Sequence, residues 1–280
     1  QITHDFYRAV AANPRFADVE MSAFCEQFDG DEQTQFAAVT YRLPNNTLVV
    51  TFRGTDDSLV GWKEDFNMAF RYPVPAQVSA ADYLGKVAQL WRGSIILTGH
   101  SKGGNLAVYA AIYSLDGPGF PEAVVRSFEY ASVHERITKI VPDSSVVGMV
   151  LETPERCMVV KSDVDGIMQH FAFSWQMHGG EFAKVEDVAN SSVTFNKSLN
   201  GWLSGLSEEQ REHAVDALFS VLAASGADNI SGMVAAGPKV IPDMLGTYVG
   251  LSGEDRRNIN QALMILLQAA LSRNPKVQRK

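Results

Sequence analysis

The chain has 280 residues, 46% of them hydrophobic, with a formal charge of −8 and a pI near 5.3. That apolar content suffices for a full core, which argues against a disordered or purely structural protein, and an acidic chain without a clustered basic surface argues against nucleic acid as a main partner. Two cysteines, Cys25 and Cys157, are too few for a disulfide framework and lack metal-ligand spacing, so both are expected as reduced thiols in a cytoplasmic protein.

In chain order, residues 1–28 read as helical and half-buried, anchored by Phe6, Val10 and Phe16. The chain opens on Gln1 without a secretory leader, which fits a processed or trimmed start. After a polar break at Asp29-Gly30-Asp31-Glu32, residues 35–42 and 47–52 are β-rich and joined by Pro44-Asn45-Asn46, a hairpin signature. The second strand enters Arg53-Gly54-Thr55-Asp56-Asp57, a tight polar turn of the kind that supplies backbone donors at the carboxyl edge of a sheet. Helices are predicted over residues 62–70 and 80–90, the latter with Ala81, Leu84, Val87 and Ala88 on one face.

Residues 94–98 form a short apolar run that leads into Gly99-His100-Ser101-Lys102-Gly103-Gly104 and then into a helical pattern through Ala111. Glycines two positions either side of Ser101 leave room where a strand and a helix meet at close range, so the turn can expose the serine hydroxyl. The five-residue pattern alone is weak; the strand before it and the helix after it make it a nucleophile elbow. A strand over residues 112–115 would follow the helix with no connection, whereas such loops run about 2 to 6 residues, so residues are expected to be missing there. Residues 146–151 and 157–161 read as central parallel strands. The longest apolar run, residues 262–267, lies in an amphipathic helix pattern and is too short to span a bilayer. From residue 184 on, helices dominate: Ser207 to Gln210 is a capping box before a helix with Ala214, Leu218, Val221 and Leu222 on one face, and residues 252–255 open another. The expectation is an α/β core over residues 1–183, mostly parallel in its sheet, and a helical region of one to three helices over residues 184–280, either structural cover or a cap over the active site.

Acyl transfer by serine needs an exposed hydroxyl, a neutral histidine, a carboxylate that holds its tautomer and donors for the oxyanion. In hydrolases of this α/β class the order is serine, acid, histidine. His4 precedes the serine, His100 sits within the elbow and is badly aimed, His134 and His213 lie on polar helix-like stretches, and His178 sits in Met177-His178-Gly179-Gly180. His170 follows the strand at residues 157–161 by one loop and is the base position. Asp116, at the carboxyl end of the strand after the elbow, ranks first as the acid, then Asp143 and Asp163, with Glu152 behind them; ordinary turn chemistry accounts for each as well. Lys102 N–H and the turn near Thr55 are the oxyanion donors. Arg53 is expected as the buried partner of an acid such as Asp65, and the Lys102 side chain as either exposed or favouring anionic substrates.

Residues 35–39, 52–56, 61–68, 73–77, 99–105, 116–120 and 166–170 together resemble the Mbeg-like bacterial family, a domain of unknown function within the α/β-hydrolases that is similar to class 3 lipases. The resemblance is close over about residues 6–175 and looser in the helical tail. It implies an α/β-hydrolase fold, Ser101 and His170 at the nucleophile and base positions, and Thr55 at the lipase oxyanion turn. Family members carry an extra amino-terminal segment and a longer connection after the elbow helix. Lys102 stands where class 3 lipases have leucine, so the lipase substrate does not transfer.

The leading expectation is a cytoplasmic, esterase- or lipase-like serine hydrolase that takes a small-molecule acyl ester and uses no metal or cofactor. A thioesterase or acyltransferase would use the same triad, and a catalytically silent binding module would retain the fold without turnover. Nothing in the sequence demands a membrane surface or sets an oligomeric state.

Overall fold

The computed structural model describes residues 2–110 and 113–271, so the suspected gap at residues 111–112 lies outside them. An amino-terminal helix α1 (Ile2–Ala12) precedes β1 (Glu20–Asp29), β2 (Thr34–Leu43) and β3 (Thr47–Phe52). Then come α2 (Leu59–Asn67), α3 (Pro75–Leu90), β4 (Ser94–His100), α4 (Lys102–Ala110), β5 (Tyr113–Leu115), α5 (Glu122–Val125), α6 (Phe128–Val133), β6 (Thr138–Pro142) and β7 (Cys157–Val160). A ribbon of β8 (Met177–His178) and β9 (Glu181–Phe182) leads to β10 (Lys184–Val185). The helices α7 (Asn190–Ser204), α8 (Glu208–Ala223), α9 (Ile230–Ala236), α10 (Ile241–Gly250) and α11 (Gly253–Leu271) complete the described chain.

Eight strands make one sheet in the order β1-β2-β3-β4-β5-β6-β7-β10. β1, β2 and β3 form an antiparallel meander, β3 through β7 run parallel, and β10 closes the far edge antiparallel to β7. The first five residues of β2 are all buried, as expected for a strand covered on both faces. Phe36, Val50, Phe52, Leu97 and Leu106 pack with Ala76, Ala80 and Tyr83 of α3 into the main core. Each phenylalanine so buried contributes about 2 to 3 kcal/mol. α3 begins at Pro75, five residues before its predicted start, because proline suits the first helical position and the Gln77 side chain accepts from Val74 N at 2.9 Å. Similarly, α2 starts at Leu59 rather than at Trp62 because Ser58 caps it, accepting from Gly61 N at 3.0 Å.

Three expectations change. Residues 20–29 form an exposed edge strand rather than a helix, and Phe6 and Phe16 are exposed. A bulge between Ser22 and Cys25, with Ala23 at φ +52°, puts those two residues on one face at a spacing of three, which imitates helical periodicity. The central strand after β5 is Thr138–Pro142, and residues 147–149 are instead a 3-10 turn; the buried charged residue Lys139 interrupts the apolar pattern of that strand. Among the described residues the tail holds five α-helices, and α8 buries Ala214, Val215, Ala217 and Phe219 rather than Leu218, Val221 and Leu222. Phe219 meets Phe66 of α2 edge to face at 5.5 Å, and Lys63 pairs with Asp216 at 2.7 Å.

Candidate active site

At the carboxyl end of β4 the chain turns through Ser101, whose φ of +58° is left-handed, and enters α4 at once. Serine rarely adopts that conformation, which costs of order 1 to 3 kcal/mol and persists only where the surroundings impose it. Here they do: a Cβ on Gly99 would lie 2.1 Å from Gly103 O, and one on Gly103 2.2 Å from Phe52 O. The strand, the helix and the end of β3 are therefore in backbone contact, and Ser101 is the residue forced outward. Ser101 N donates to Leu115 O at 3.0 Å, tying the elbow to β5. Asn105 of α4 accepts from Gln77 Nε2 at 2.8 Å and donates to Gly119 O at 2.9 Å, joining α3, the elbow helix and the loop after β5.

That loop holds Asp116, fully buried and at φ +46°. Its Oδ2 accepts from His170 Nδ1 at 2.7 Å; its Oδ1 accepts from Ser145 Oγ at 2.6 Å and Gly148 N at 3.2 Å. A carboxylate at Nδ1 leaves the lone pair of the neutral imidazole on Nε2, the form a general base requires. His170 ends the 3-10 turn after β7. Gln169 clamps this turn: it accepts from Ser144 N and donates to Val164 O, both at 2.8 Å, while its carbonyl accepts from Trp175 Nε1 at 2.8 Å. His100 Nε2 lies 2.6 Å from His170 O, and since a carbonyl only accepts, that nitrogen carries the proton. Burial, then the adjacent His170, hold His100 below the usual histidine range, and the two rings stack loosely at 4.5 Å.

The other candidate acids lie elsewhere. Asp143 binds through its backbone to Val160 and Ala189, Asp163 accepts from Gln176 at 2.7 Å, and Glu152 is exposed and pairs through its backbone with Phe120. None is bonded to His170 among the described residues. Ser101 Oγ makes no hydrogen bond among the described residues.

On the other side of Ser101, the turn after β3 approaches the elbow closely: a Cβ on Gly54 would sit 3.2 Å from Ser101 Cβ. Neither Thr55 N–H nor Lys102 N–H is engaged in a hydrogen bond among the described residues. The Thr55 hydroxyl donates to Asp65 Oδ2, and burial pushes the Asp65 carboxyl up to about 6 despite Lys102 nearby. Two expectations change here. Arg53 pairs with Glu26 at 2.8 Å on the half-exposed surface, not with Asp65. The Lys102 side chain is wholly buried against Glu64 at 2.9 Å, so it neither meets solvent nor contacts a substrate. Among the described residues no group of three or more His, Cys, Asp or Glu could hold a metal ion.

A mostly parallel sheet, a strained serine at a strand-to-helix turn, and a carboxylate–histidine pair on the loops after later strands define an α/β-hydrolase fold. The chain belongs to the Mbeg1-like family, whose model matches residues 10–220. No curated protein matches. Solved structures similar in part are a fungal lipase–inhibitor complex (15% identity, TM-score 0.38, 52% of this chain and 66% of that one) and a Rhizomucor miehei lipase–propeptide complex (14%, 0.39, 52% and 57%). A third is the M37 lipase (16%, 0.37, 53% and 60%). The chain thus spans less than two thirds of the length of each of these lipases.

Proposed function

We propose that this protein is a serine hydrolase that cleaves a carboxylic ester through an acyl-enzyme. The observation that carries the reading is the His170–Asp116 bond, made by a fully buried carboxylate at the sheet edge that also carries the strained Ser101. In this reading His170 Nε2 takes the proton of Ser101 Oγ as that oxygen attacks the ester carbonyl, and the developing oxyanion takes Lys102 N–H and Thr55 N–H. The tetrahedral intermediate collapses with loss of the alcohol, which leaves with the proton from His170. Water then attacks the acyl-enzyme, again with His170 as base, and frees the acid. In this reading the serine–histidine hydrogen bond forms when substrate binds. The two unpaired cysteines, Cys25 and Cys157, support a reducing compartment.

Residues 184–280 act as a cap in the same reading. Support comes from a junction beside the Thr55 turn, where Leu59 N donates to Asp228 O and Ile230 N to Asp57 O, at 2.9 and 3.0 Å. Intact-mass labelling by a fluorophosphonate tests the reading: one adduct on the native chain, lost in Ser101→Ala and His170→Ala, is expected. Folded native protein that takes no adduct would overturn it. A panel of short and long acyl esters and acyl thioesters then defines the leaving group and chain length.

A further inference from the structure

Taking an ammonium and a carboxylate out of water is repaid only where nearly every donor and lone pair finds a partner, and an apolar pair of similar volume commonly stabilises a fold as well or better. The residue after the nucleophile nevertheless carries a fully buried ammonium. Lys102 Nζ donates to Gln35 O at 2.7 Å and to Glu64 Oε2 at 2.9 Å, with Asp65 Oδ1 at 3.9 Å. Glu64, itself fully buried, also accepts from Gln35 N at 3.0 Å and, through Oε1, from Ala76 N at 2.8 Å in the first turn of α3. Four separate segments therefore meet at one charge pair: the elbow, the start of β2, α2 and the start of α3.

The next residue on α2, Asp65, accepts the Thr55 hydroxyl. Both residues whose N–H groups face the reacting oxygen in the hydrolase reading thus anchor their side chains in the same buried cluster, Lys102 directly on Glu64 and Thr55 on Asp65. Donors for an oxyanion act only when their spacing is held to a fraction of an ångström, and about 1 Å of misplacement costs roughly 10²-fold.

We propose that the buried Lys102–Glu64 pair is a positioning device for the oxyanion site, fixing the elbow N–H relative to the Thr55 turn through α2. The proposal rests on the serine-hydrolase reading and adds two residues to it. Neither side chain touches substrate, so their effect is on the rate of the step that builds the oxyanion and not on ground-state binding.

The test is the rate of fluorophosphonate labelling in Lys102→Met/Glu64→Leu, which removes both charges at similar volume, beside Lys102→Met alone. The single variant leaves the buried Glu64 carboxylate without its counter-charge, so its Tm falls. The double variant removes the buried charge but leaves Gln35 N and Ala76 N without their acceptor, so it is expected to regain only part of the Tm while its inactivation rate constant stays about 10- to 100-fold low and the probe concentration for half-saturation is unchanged. A folded double variant that labels at the wild-type rate would overturn the proposal. If the double variant does not fold, the same constants are read on Lys102→Met below its Tm, against wild type at the same temperature and pH, with the same two outcomes. Failure of folded wild-type protein to label would instead overturn the hydrolase reading, and this proposal with it.

Discussion

Ser145 Oγ donates to Asp116 Oδ1 at 2.6 Å, on the carboxylate oxygen opposite the one that faces His170. The hydroxyl, with Gly148 N behind it, leaves Asp116 one free orientation, and that orientation points Oδ2 at the imidazole. In the hydrolase reading, Ser145→Ala is therefore expected to lower kcat about 10-fold with little change in KM, the usual effect of losing a partner that orients a reacting group. Asp116→Asn, which lets His170 take the wrong tautomer, is expected to cost about 10⁴-fold. Turnover of a short p-nitrophenyl ester measures both; equal losses in the two variants would mean that Ser145 does more than orient Asp116.

The glycines of the elbow can be separated by the space around them. Gly103→Ala would place a methyl 2.2 Å from Phe52 O, a backbone atom that cannot step aside, so this variant is expected to lose its fold or its elbow. Gly85, in the exposed interior of α3, has nothing within 4 Å of a Cβ, and Gly85→Ala should stabilise by about 0.5 to 1 kcal/mol. Denaturant midpoints of the two variants decide the point: a stable, fully labelled Gly103→Ala would mean the elbow tolerates a Cβ.

Much of this arrangement is legible in the sequence because the elbow, Asp116 and His170 each end or follow a strand, and strand ends carry punctuation. Gly99 to Gly103 is readable without a structure since its glycines are demanded by backbone approach alone. What is not legible acts across the chain. Ser145 reaches Asp116 from 29 residues away and Lys102 reaches Glu64 over 38, and no local pattern distinguishes a buried lysine from a solvated one. The same blindness hides β6, whose charged Lys139 is buried, and directs attention to the apolar residues 146–151. That run instead forms the 3-10 turn that supplies Gly148 N to Asp116.

Asp65 should make stability fall with rising pH over an unusual range. Burial raises its folded-state carboxyl to about 6, well above the ordinary aspartate range, so the folded state holds this proton more tightly than the unfolded one. Its contribution is most favourable below about pH 4 and is lost as pH rises to about 6, a difference of roughly 3 kcal/mol. Asp65→Asn removes the ionisation and retains an acceptor for Thr55. The variant is therefore expected to gain stability relative to wild type between pH 4 and 6, and the difference should be flat above that. Urea unfolding at pH 4, 5, 6 and 8 checks this, and a pH-independent difference would place the Asp65 carboxyl in the ordinary range.

One carboxylate, Asp57, holds the start of α9. Asp57 accepts from Ser231 N at 3.0 and 3.2 Å through its two oxygens, at the start of α9, while Asn229 caps the same helix from Gly232 N at 2.7 Å. Neither α9 nor α10 buries a single residue, and Val234, Ile241, Leu245 and Val249 are all more than half exposed. Few apolar contacts therefore oppose opening of residues 230–250, and the Asp57 junction is their attachment beside the Thr55 turn. Asp57→Ala should cost about 1 kcal/mol, the usual loss for a helix cap. Amide exchange over residues 230–250 should then quicken while that of β3 and β4 holds. If this region caps the site, turnover of long acyl esters should change in Asp57→Ala and that of short ones should not. Faster exchange with an unchanged ratio of long to short ester turnover would make the helices structural cover.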